Sequence, residues 1–325
     1  MYNRKRPARS GGEAFTKKRK SGEAARGFRP GEEARMNRIL EALVREAETQ
    51  GAAVYQIAVA DECQSVEEAV LTPANPCQNS YSVAKAFAAT AVGILADRGQ
   101  LSLEDRVTAL LSDFLIPGMD EKWDSMTVRN LLTHRCGFPG GYLDIDVDDR
   151  NAYGTDDFLQ YLFRTPLLDP PGTEYRYSDA AYYLVSRVVT RVTGEKLDDF
   201  LWRELFAPLG VREAAWSRCP MGYPMGATGL YIRTADVARL ASVYACGGRF
   251  RERAILSEKW IAEATDGRCA FTPHGDSGLW KKGGMRGQMA VFSKEKHIAA
   301  AWHGFQADSK PLIDRFAAIL SETNQ

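Results

Sequence analysis

The stretch YSVAKAFAATAVGILA, residues 81–96, decides how the rest of the sequence is interpreted. Lys85 is its only charged residue, and the next charge is Asp97. A helix that is apolar on every side is buried on every side, so this stretch predicts a helix at the centre of the protein. Residues three apart lie on one helical face. The Lys85 ammonium is therefore expected one turn from the Ser82 hydroxyl.

A buried lysine beside a serine indicates a nucleophile and its base. Desolvation lowers the pKa of a lysine, and a neutral Lys85 is able to take the proton of Ser82. The alternative is an N-cap serine with a lysine whose charged end reaches water. The same spacing recurs at Ser293-Lys294-Glu295-Lys296, but there the pattern lies in a charged turn between two predicted strands. Only the first copy has a context that points to chemistry.

Strand patterns lie near both ends of the chain, at residues 54–60, 288–292 and 297–303, and amphipathic helices lie outside them. The middle is predicted to be helical, without a convincing strand. This order predicts one α+β unit, in which an antiparallel sheet is flanked by the N- and C-terminal helices and a helical subdomain is inserted. The domain covers residues 31–325, with a sheet part at about 31–75 and 270–325 and a helical part at about 82–268. A cleft is expected between the two parts.

Charge is distributed unevenly along a chain whose total is neutral. Residues 1–30 hold ten basic residues and two acidic ones, a net +8, whereas the remainder has 32 basic and 40 acidic residues, a net −8. The basic segment has few apolar residues and no periodicity, so it is predicted to be a disordered tail. It is either solvated or an extension ahead of a start at Met36.

Several classes of partner are not expected from this sequence. The basic segment lacks interleaved aromatic residues or a known fold, so nucleic acid is not an expected partner. The longest apolar run is too short to span a bilayer, and no apolar run follows the first basic residues as in a secretory signal. A cytoplasmic protein is the expectation. Four dispersed histidines and no HExxH motif predict neither a metal nor a cofactor.

Three motifs in order resemble the serine β-lactamase and penicillin-binding-protein superfamily, nearest its class C-like branch of esterases, D-aminopeptidase-type enzymes and lactamases. The motifs are SVAK at residues 82–85, LLTHRCG at 131–137 (like LLTHxSG) and PGTEYRYSD at 171–179 (like PGxxFxYSN). The resemblance covers about residue 32 to the C-terminus. It implies a β-lactamase/transpeptidase-like fold.

The resemblance also implies roles for residues that the sequence alone leaves open. Tyr177 would relay protons between Ser82, Lys85 and the leaving group, although an aromatic helix entry is its plain interpretation. Asp179 stands where many members have asparagine, and it would either pair with Lys85 and hold it protonated or cap a helix.

The segment Lys282-Gly283-Gly284 stands where the family has Lys-[Ser/Thr]-Gly, so the middle hydroxyl is absent. Lys281 gives an alternative register. The resemblance implies that the Met285 and Ser82 backbone N–H groups bind the oxyanion.

The sequence thus predicts an enzyme: a serine hydrolase with Ser82, Lys85 and Tyr177 as catalytic residues and Asp179, Lys282, Gly283, Gly284 and Met285 as substrate-binding residues. Its expected partner is a small ester or amide rather than a β-lactam. The alternative is a catalytically impaired ligand-binding protein on the same scaffold.

Overall fold

A computed structural model describes residues 17–20, 30–62, 65–306 and 308–322. The strands, in chain order, are β1 Lys17–Lys20, β2 Val54–Ala60, β3 Val66–Val70, β4 Cys77–Asn79, β5 Ala214–Trp216, β6 Leu230–Arg233, β7 Arg249–Phe250, β8 Arg253–Ala254, β9 Thr272–Pro273, β10 Leu279–Gly284, β11 Gln288–Ser293 and β12 Ile298–Gly304. The helices are α1 Pro30–Thr49, α2 Ala84–Asp97, α3 Val107–Leu110, α4 Val128–Leu132, α5 Phe158–Phe163, α6 Asp179–Thr193, α7 Leu197–Leu201, α8 Ala207–Leu209, α9 Thr234–Ala245, α10 Glu258–Ala264 and α11 Lys310–Glu322.

The main sheet is antiparallel and joins the two ends of the chain. Its strand order is β1-β3-β2-β12-β11-β10-β9, and the register places Ala58 of β2 opposite Ala301 of β12. The predicted α+β fold, with a sheet built from both chain ends, is therefore confirmed.

Each face of this sheet is covered by a different set of helices. Ile57 and Val59 of β2 pack in one core with α1 and α11, whereas Ala58 and Ala60 pack in a larger core with the central helices. Side chains alternate between the two faces of a strand, so one strand contributes to both cores. The main sheet is the middle of three layers, with helices on either side.

Helix α2 lies at the centre of the helical part, as its composition predicted. Every residue from Ala84 to Leu95 is buried, and the Thr90 hydroxyl lies 2.8 Å from Tyr244 Oη of α9. A short 3₁₀ turn, Tyr81–Val83, precedes α2 and brings Ser82 to the edge of the main sheet. In the described parts of the chain, no helix has both the length and the apolar character needed to cross a bilayer.

The prediction of a middle without strands is wrong. Strands β4, β6 and β5 form a second, three-stranded antiparallel sheet within the helical part. These strands are only three or four residues long, too short for the alternation of side chains to be distinctive. Their pairing is set by tertiary contacts.

The prediction that residues 1–30 form a disordered tail stays a prediction, because the structure describes only residues 17–20 and 30 of this segment. Residues Lys17–Lys20 form β1, which pairs with β3 and places Arg19 and Lys20 at the register positions of Glu68 and Glu67. Without β1, β3 would be an unpaired edge strand. Pro30 begins α1. The rest of the predicted tail lies outside the described residues.

Replacing Gly93 of α2 by alanine is expected to destabilise the protein. An added Cβ would lie 2.4 Å from two atoms of the buried Trp260 indole. Overpacking of this kind costs about 1–3 kcal/mol, more than the roughly 1 kcal/mol that alanine gains over glycine in helix propensity. The midpoint of urea unfolding should fall in Gly93→Ala. In the control Gly140→Ala, whose Cβ would meet nothing within 4 Å, an equal fall would contradict this packing.

Candidate active site

Ser82 lies in the turn that connects the small sheet to α2. The Ser80 N–H donates to the Leu230 carbonyl of β6 at 2.8 Å, and the Tyr81 N–H donates to Asn79 Oδ1 at 2.9 Å. Tyr81 has a φ of 45°, which is uncommon for a residue with a Cβ and is found where the surroundings impose it. The backbone on the N-terminal side of the serine is thus fixed.

The Lys85 ammonium donates to three acceptors: Ser82 Oγ at 3.1 Å, Asp179 Oδ1 at 2.7 Å and the Ala227 carbonyl at 2.9 Å. An ammonium has three N–H donors and no acceptor, so each donor is used. The Lys85 side chain is fully buried and that of Asp179 is 6% exposed. The arrangement suits a charged lysine.

The expectation that burial makes Lys85 neutral is wrong. Burial alone lowers the pKa of Lys85, but the charges and hydrogen bonds of Asp179 and Tyr177 act against it, and the net effect raises the pKa above its usual value. The decisive group is Asp179, which the sequence analysis identified as a departure from the family. Of the two roles suggested for Asp179, pairing with Lys85 is the one observed in the structure.

Tyr177 completes the group of three predicted catalytic residues. Its Oη lies 2.7 Å from Ser82 Oγ. The Lys85 Nζ lies 4.7 Å from the centroid of its ring, and the Lys282 Nζ lies 5.8 Å from it. Both distances are within the range of a cation–π contact. The tyrosine therefore contacts Ser82 through its hydroxyl and both lysines through its ring.

Strand β10 forms the other wall of the site. A Cβ on Gly284 would lie 2.5 Å from the Ser80 carbonyl oxygen and 3.2 Å from Ser82 N, so the strand passes as close to the serine turn as a glycine permits. Met285 follows it and is 38% exposed. Lys282, rather than Lys281, is the lysine that faces Tyr177.

Lys282 differs from Lys85 in having no ion-pair partner within the described part of the chain. Burial and, second, the charge of Lys85 lower the pKa of Lys282 to about 7. The residue after it is Gly283, which offers no hydroxyl. A substrate carboxylate would therefore meet a lysine that is only partly charged near neutral pH.

Two further carboxylates adjoin the site and were missed in the sequence. Oxygens of Asp144, Asp146 and Asp179 lie within 4.8 Å of one another, and the Thr228 hydroxyl donates to Asp146. Burial and then the charge of Asp179 raise the pKa of Asp144, and burial also raises that of Asp146. Asp144 and Asp146 lie in the loop after the LLTHRCG motif. The acidic residues of this loop show no periodicity that would predict which way their side chains point.

Shifting β10 away from the serine should abolish reaction at Ser82. In Gly284→Ala, the new methyl group collides with the Ser80 backbone, so we expect labelling by a fluorophosphonate probe to fall at least about tenfold. Gly283→Ala is the matched control, because its Cβ would meet only the flexible end of Met289, at 3.3 Å. Equal labelling of the two variants would show that the close approach of β10 is not needed.

Removing Lys85 should be costly because Asp179 would stay buried without a partner. Breaking a buried ion pair from one side costs about 3–5 kcal/mol, so Lys85→Met should unfold at much lower urea. The double variant Lys85→Met/Asp179→Asn should recover most of that loss. Lys310→Met, which breaks the exposed pair with Asp314, should change little. If Lys85→Met unfolded at the same urea concentration as Lys310→Met, the Lys85–Asp179 pair would not be structurally important.

Comparisons with known proteins agree with the fold and the motifs. The family model described as Beta-lactamase matches residues 36–320. The N-acetylmuramyl-L-alanine amidase of Bacillus subtilis (strain 168) is 28% identical over 138 residues, which are 40% of this chain and 30% of that protein. Penicillin-binding protein 4 of Amycolatopsis lactamdurans is 33% identical over 138 residues, 42% of this chain and 35% of that protein.

A solved structure extends the likeness over most of the chain. The crystal structure of a family VIII carboxylesterase has a TM-score of 0.71 and 18% identity, and the match covers 89% of this chain and 97% of that one. The match to each of the two curated relatives spans only about a third of their length. The family model, by contrast, runs from α1 to α11 and includes all three motifs. The chain therefore belongs to the Beta-lactamase family.

Proposed function

We propose that this protein is a serine hydrolase that forms an acyl-enzyme on Ser82 and cleaves a small ester or amide. The main support is the geometry at Ser82 Oγ, which lies 3.1 Å from Lys85 Nζ and 2.7 Å from Tyr177 Oη. Covalent catalysis requires a nucleophile in hydrogen-bond contact with a group that exchanges its proton. An amidase and a carboxylesterase are among the proteins that this chain resembles, and their names agree with this activity.

Tyr177 is the proposed proton carrier. Lys85 is held as an ammonium by Asp179 and already donates to Ser82 Oγ, so it orients the nucleophile and stabilises charge. As Oγ bonds to the substrate carbonyl carbon, its proton passes to Tyr177 Oη while the phenol proton of Tyr177 passes to the leaving oxygen or nitrogen, so Tyr177 ends the step in the form in which it began. Water reverses these steps to release the acid. This scheme revises the expectation that Lys85 is the base.

The proposed oxyanion site uses the backbone N–H groups of Ser82 and Met285. A Cβ on Gly284 would lie 3.2 Å from Ser82 N, and we infer that the next N–H along the chain, that of Met285, points to the same place. Two backbone donors fixed before the reaction stabilise the tetrahedral intermediate without reorganising. The neighbouring Lys282 and the backbone of Gly283 line the same wall.

The proposed substrates are small esters or amides without a carboxylate at the position where β-lactams carry one. Gly283 removes a hydroxyl, Lys282 is only partly charged near pH 7, and the acidic Asp144 and Asp146 lie near Asp179. A lost hydrogen bond to a charged group is worth about 1.5–3 kcal/mol, roughly ten- to a hundredfold in discrimination. Each feature weakens binding of an anion.

Trapping the acyl-enzyme tests the proposed activity. Intact-mass measurement after brief incubation with a p-nitrophenyl ester should show one acyl adduct, absent in Ser82→Ala. Ser80→Ala is the control, because its buried hydroxyl has no hydrogen-bond partner, and it should keep the adduct. An adduct that persists in Ser82→Ala would refute the assignment. Binding without any adduct in the wild type would favour the ligand-binding alternative.

Substrate class is tested by comparing kcat/KM for a short-chain p-nitrophenyl ester and a chromogenic cephalosporin. We expect the ester to be preferred, and Gly283→Thr to raise the cephalosporin rate about ten- to a hundredfold by restoring the hydroxyl. Gly283→Val, of similar shape but without the hydroxyl, should give no such gain. Faster cephalosporin turnover by the wild type would overturn the proposed preference.

A further inference from the structure

We propose that His134, in the turn after α4, is a positioning residue that holds Tyr177 against Ser82. This inference rests on the proposed function, because it concerns the group that carries the proton. His134 belongs to the LLTHRCG motif, but the sequence predicted no role for it beyond excluding it as a metal ligand. In the structure its carbonyl, its Nδ1 and its ring each contact the segment around Tyr177.

His134 holds the backbone on both sides of Tyr177. Its carbonyl accepts a hydrogen bond from the Arg176 N–H at 2.9 Å, and its Nδ1 accepts one from the Ser178 N–H at 3.4 Å. Residues 176 and 178 are the two neighbours of the tyrosine. One histidine therefore fixes the peptide units before and after the catalytic side chain.

The imidazole also supports the tyrosine ring directly. The centroids of the His134 and Tyr177 rings are 4.4 Å apart with an angle of 33° between their planes. On the protein side, His134 packs on Tyr182 at 5.2 Å, and the Tyr182 hydroxyl donates to the Leu132 carbonyl. Tyr177 is 36% exposed, and this series of ring contacts supports its ring on the protein side.

Two properties suit His134 to this task. Its φ is 53°, a conformation that His and Asn adopt more readily than most residues with a Cβ. It is 4% exposed, and burial, followed by the charges of Lys282 and Lys85, lowers its pKa well below the usual value. The ring therefore stays neutral, and Nδ1 remains an acceptor.

Loss of this support should reduce the rate of acylation more than substrate binding. Displacement of a catalytic group by about 1 Å costs on the order of a hundredfold in rate. We expect His134→Phe, which keeps an aromatic ring but removes the acceptor, to lower the acylation rate by about ten- to a hundredfold, with KM changed less than about twofold. His134→Asn, which keeps a nearby acceptor and tolerates the positive φ, should recover part of the rate.

A double-mutant cycle with Tyr177→Phe separates positioning from a general loss of packing. If His134 acts through Tyr177, His134→Phe should change the residual acylation of Tyr177→Phe by less than about twofold, since coupled residues are not additive. The same fold loss in both backgrounds would overturn the inference, as would an unchanged rate in the single variant. If His134→Phe does not fold, the cycle with His134→Asn is judged by the same criterion.

If Tyr177→Phe reacts too slowly to follow, the ¹⁹F signal of 3-fluorotyrosine at position 177 gives a direct readout. His134→Phe and His134→Asn should shift or broaden it, and an unchanged signal in both would overturn the inference.

His303→Phe is the matched control for substitution of a buried histidine. His303 is 1% exposed, and its Nδ1 lies 3.0 Å from the Thr234 hydroxyl rather than against a site residue. This variant should lose stability but keep the acylation rate of the wild type. A wild type that forms no Ser82 adduct would refute the proposed function itself. Normal adduct formation in all His134 variants would refute only the positioning role.

Discussion

The buried ion pair between Lys85 and Asp179 is the contact on which the site depends. Lys85 lies three residues after the nucleophile, and Asp179 lies two residues after Tyr177. Their 2.7 Å contact therefore fixes α2 and the start of α6 relative to each other and, with them, the hydroxyl groups of Ser82 and Tyr177, between which the proposed mechanism moves a proton. A charged pair without solvent is stable only when its remaining donors are satisfied. Ser82 and the Ala227 carbonyl meet that requirement.

The Lys85–Asp179 pair also affects the pKa values of neighbouring ionisable side chains. Because Asp179 keeps Lys85 protonated, Lys85 repels the second ammonium, at Lys282, and contributes to its low pKa. Asp179 also contributes to the raised pKa values of Asp144 and Asp146. Asp179, which stands where many family members have asparagine, thus affects Lys282 through Lys85, and affects Asp144 and Asp146 directly. The proposed preference for neutral substrates rests on the whole network rather than on Gly283 alone.

Much of the fold and the grouping of Ser82, Lys85 and Tyr177 could be predicted from sequence because their signals are local. Strand β2 was predicted with its observed bounds, Val54–Ala60, and the all-apolar context of Ser82 and Lys85 distinguished them from the copy at Ser293. Features that depend on contacts between residues far apart in the sequence were not predictable. The ionisation of Lys85 depends on Asp179, and the strands of the small sheet are defined by their pairing. The contacts of His134 and Asp144 with the site depend on how the loops around Tyr177 fold, which no local pattern predicts.

The order of the elements along the chain has a consequence for biosynthesis. The serine and its lysine are made early, but β10, which forms the opposite wall, follows about 200 residues later. Strand β2 pairs early with β3 but gains its second neighbour only when β12 is complete. Pairing of such distant segments makes folding slow. A nascent chain on the ribosome, or a product of premature termination, therefore carries the proposed nucleophile without the opposite wall of the site. The proposed activity requires β10 and β12 to have been synthesised.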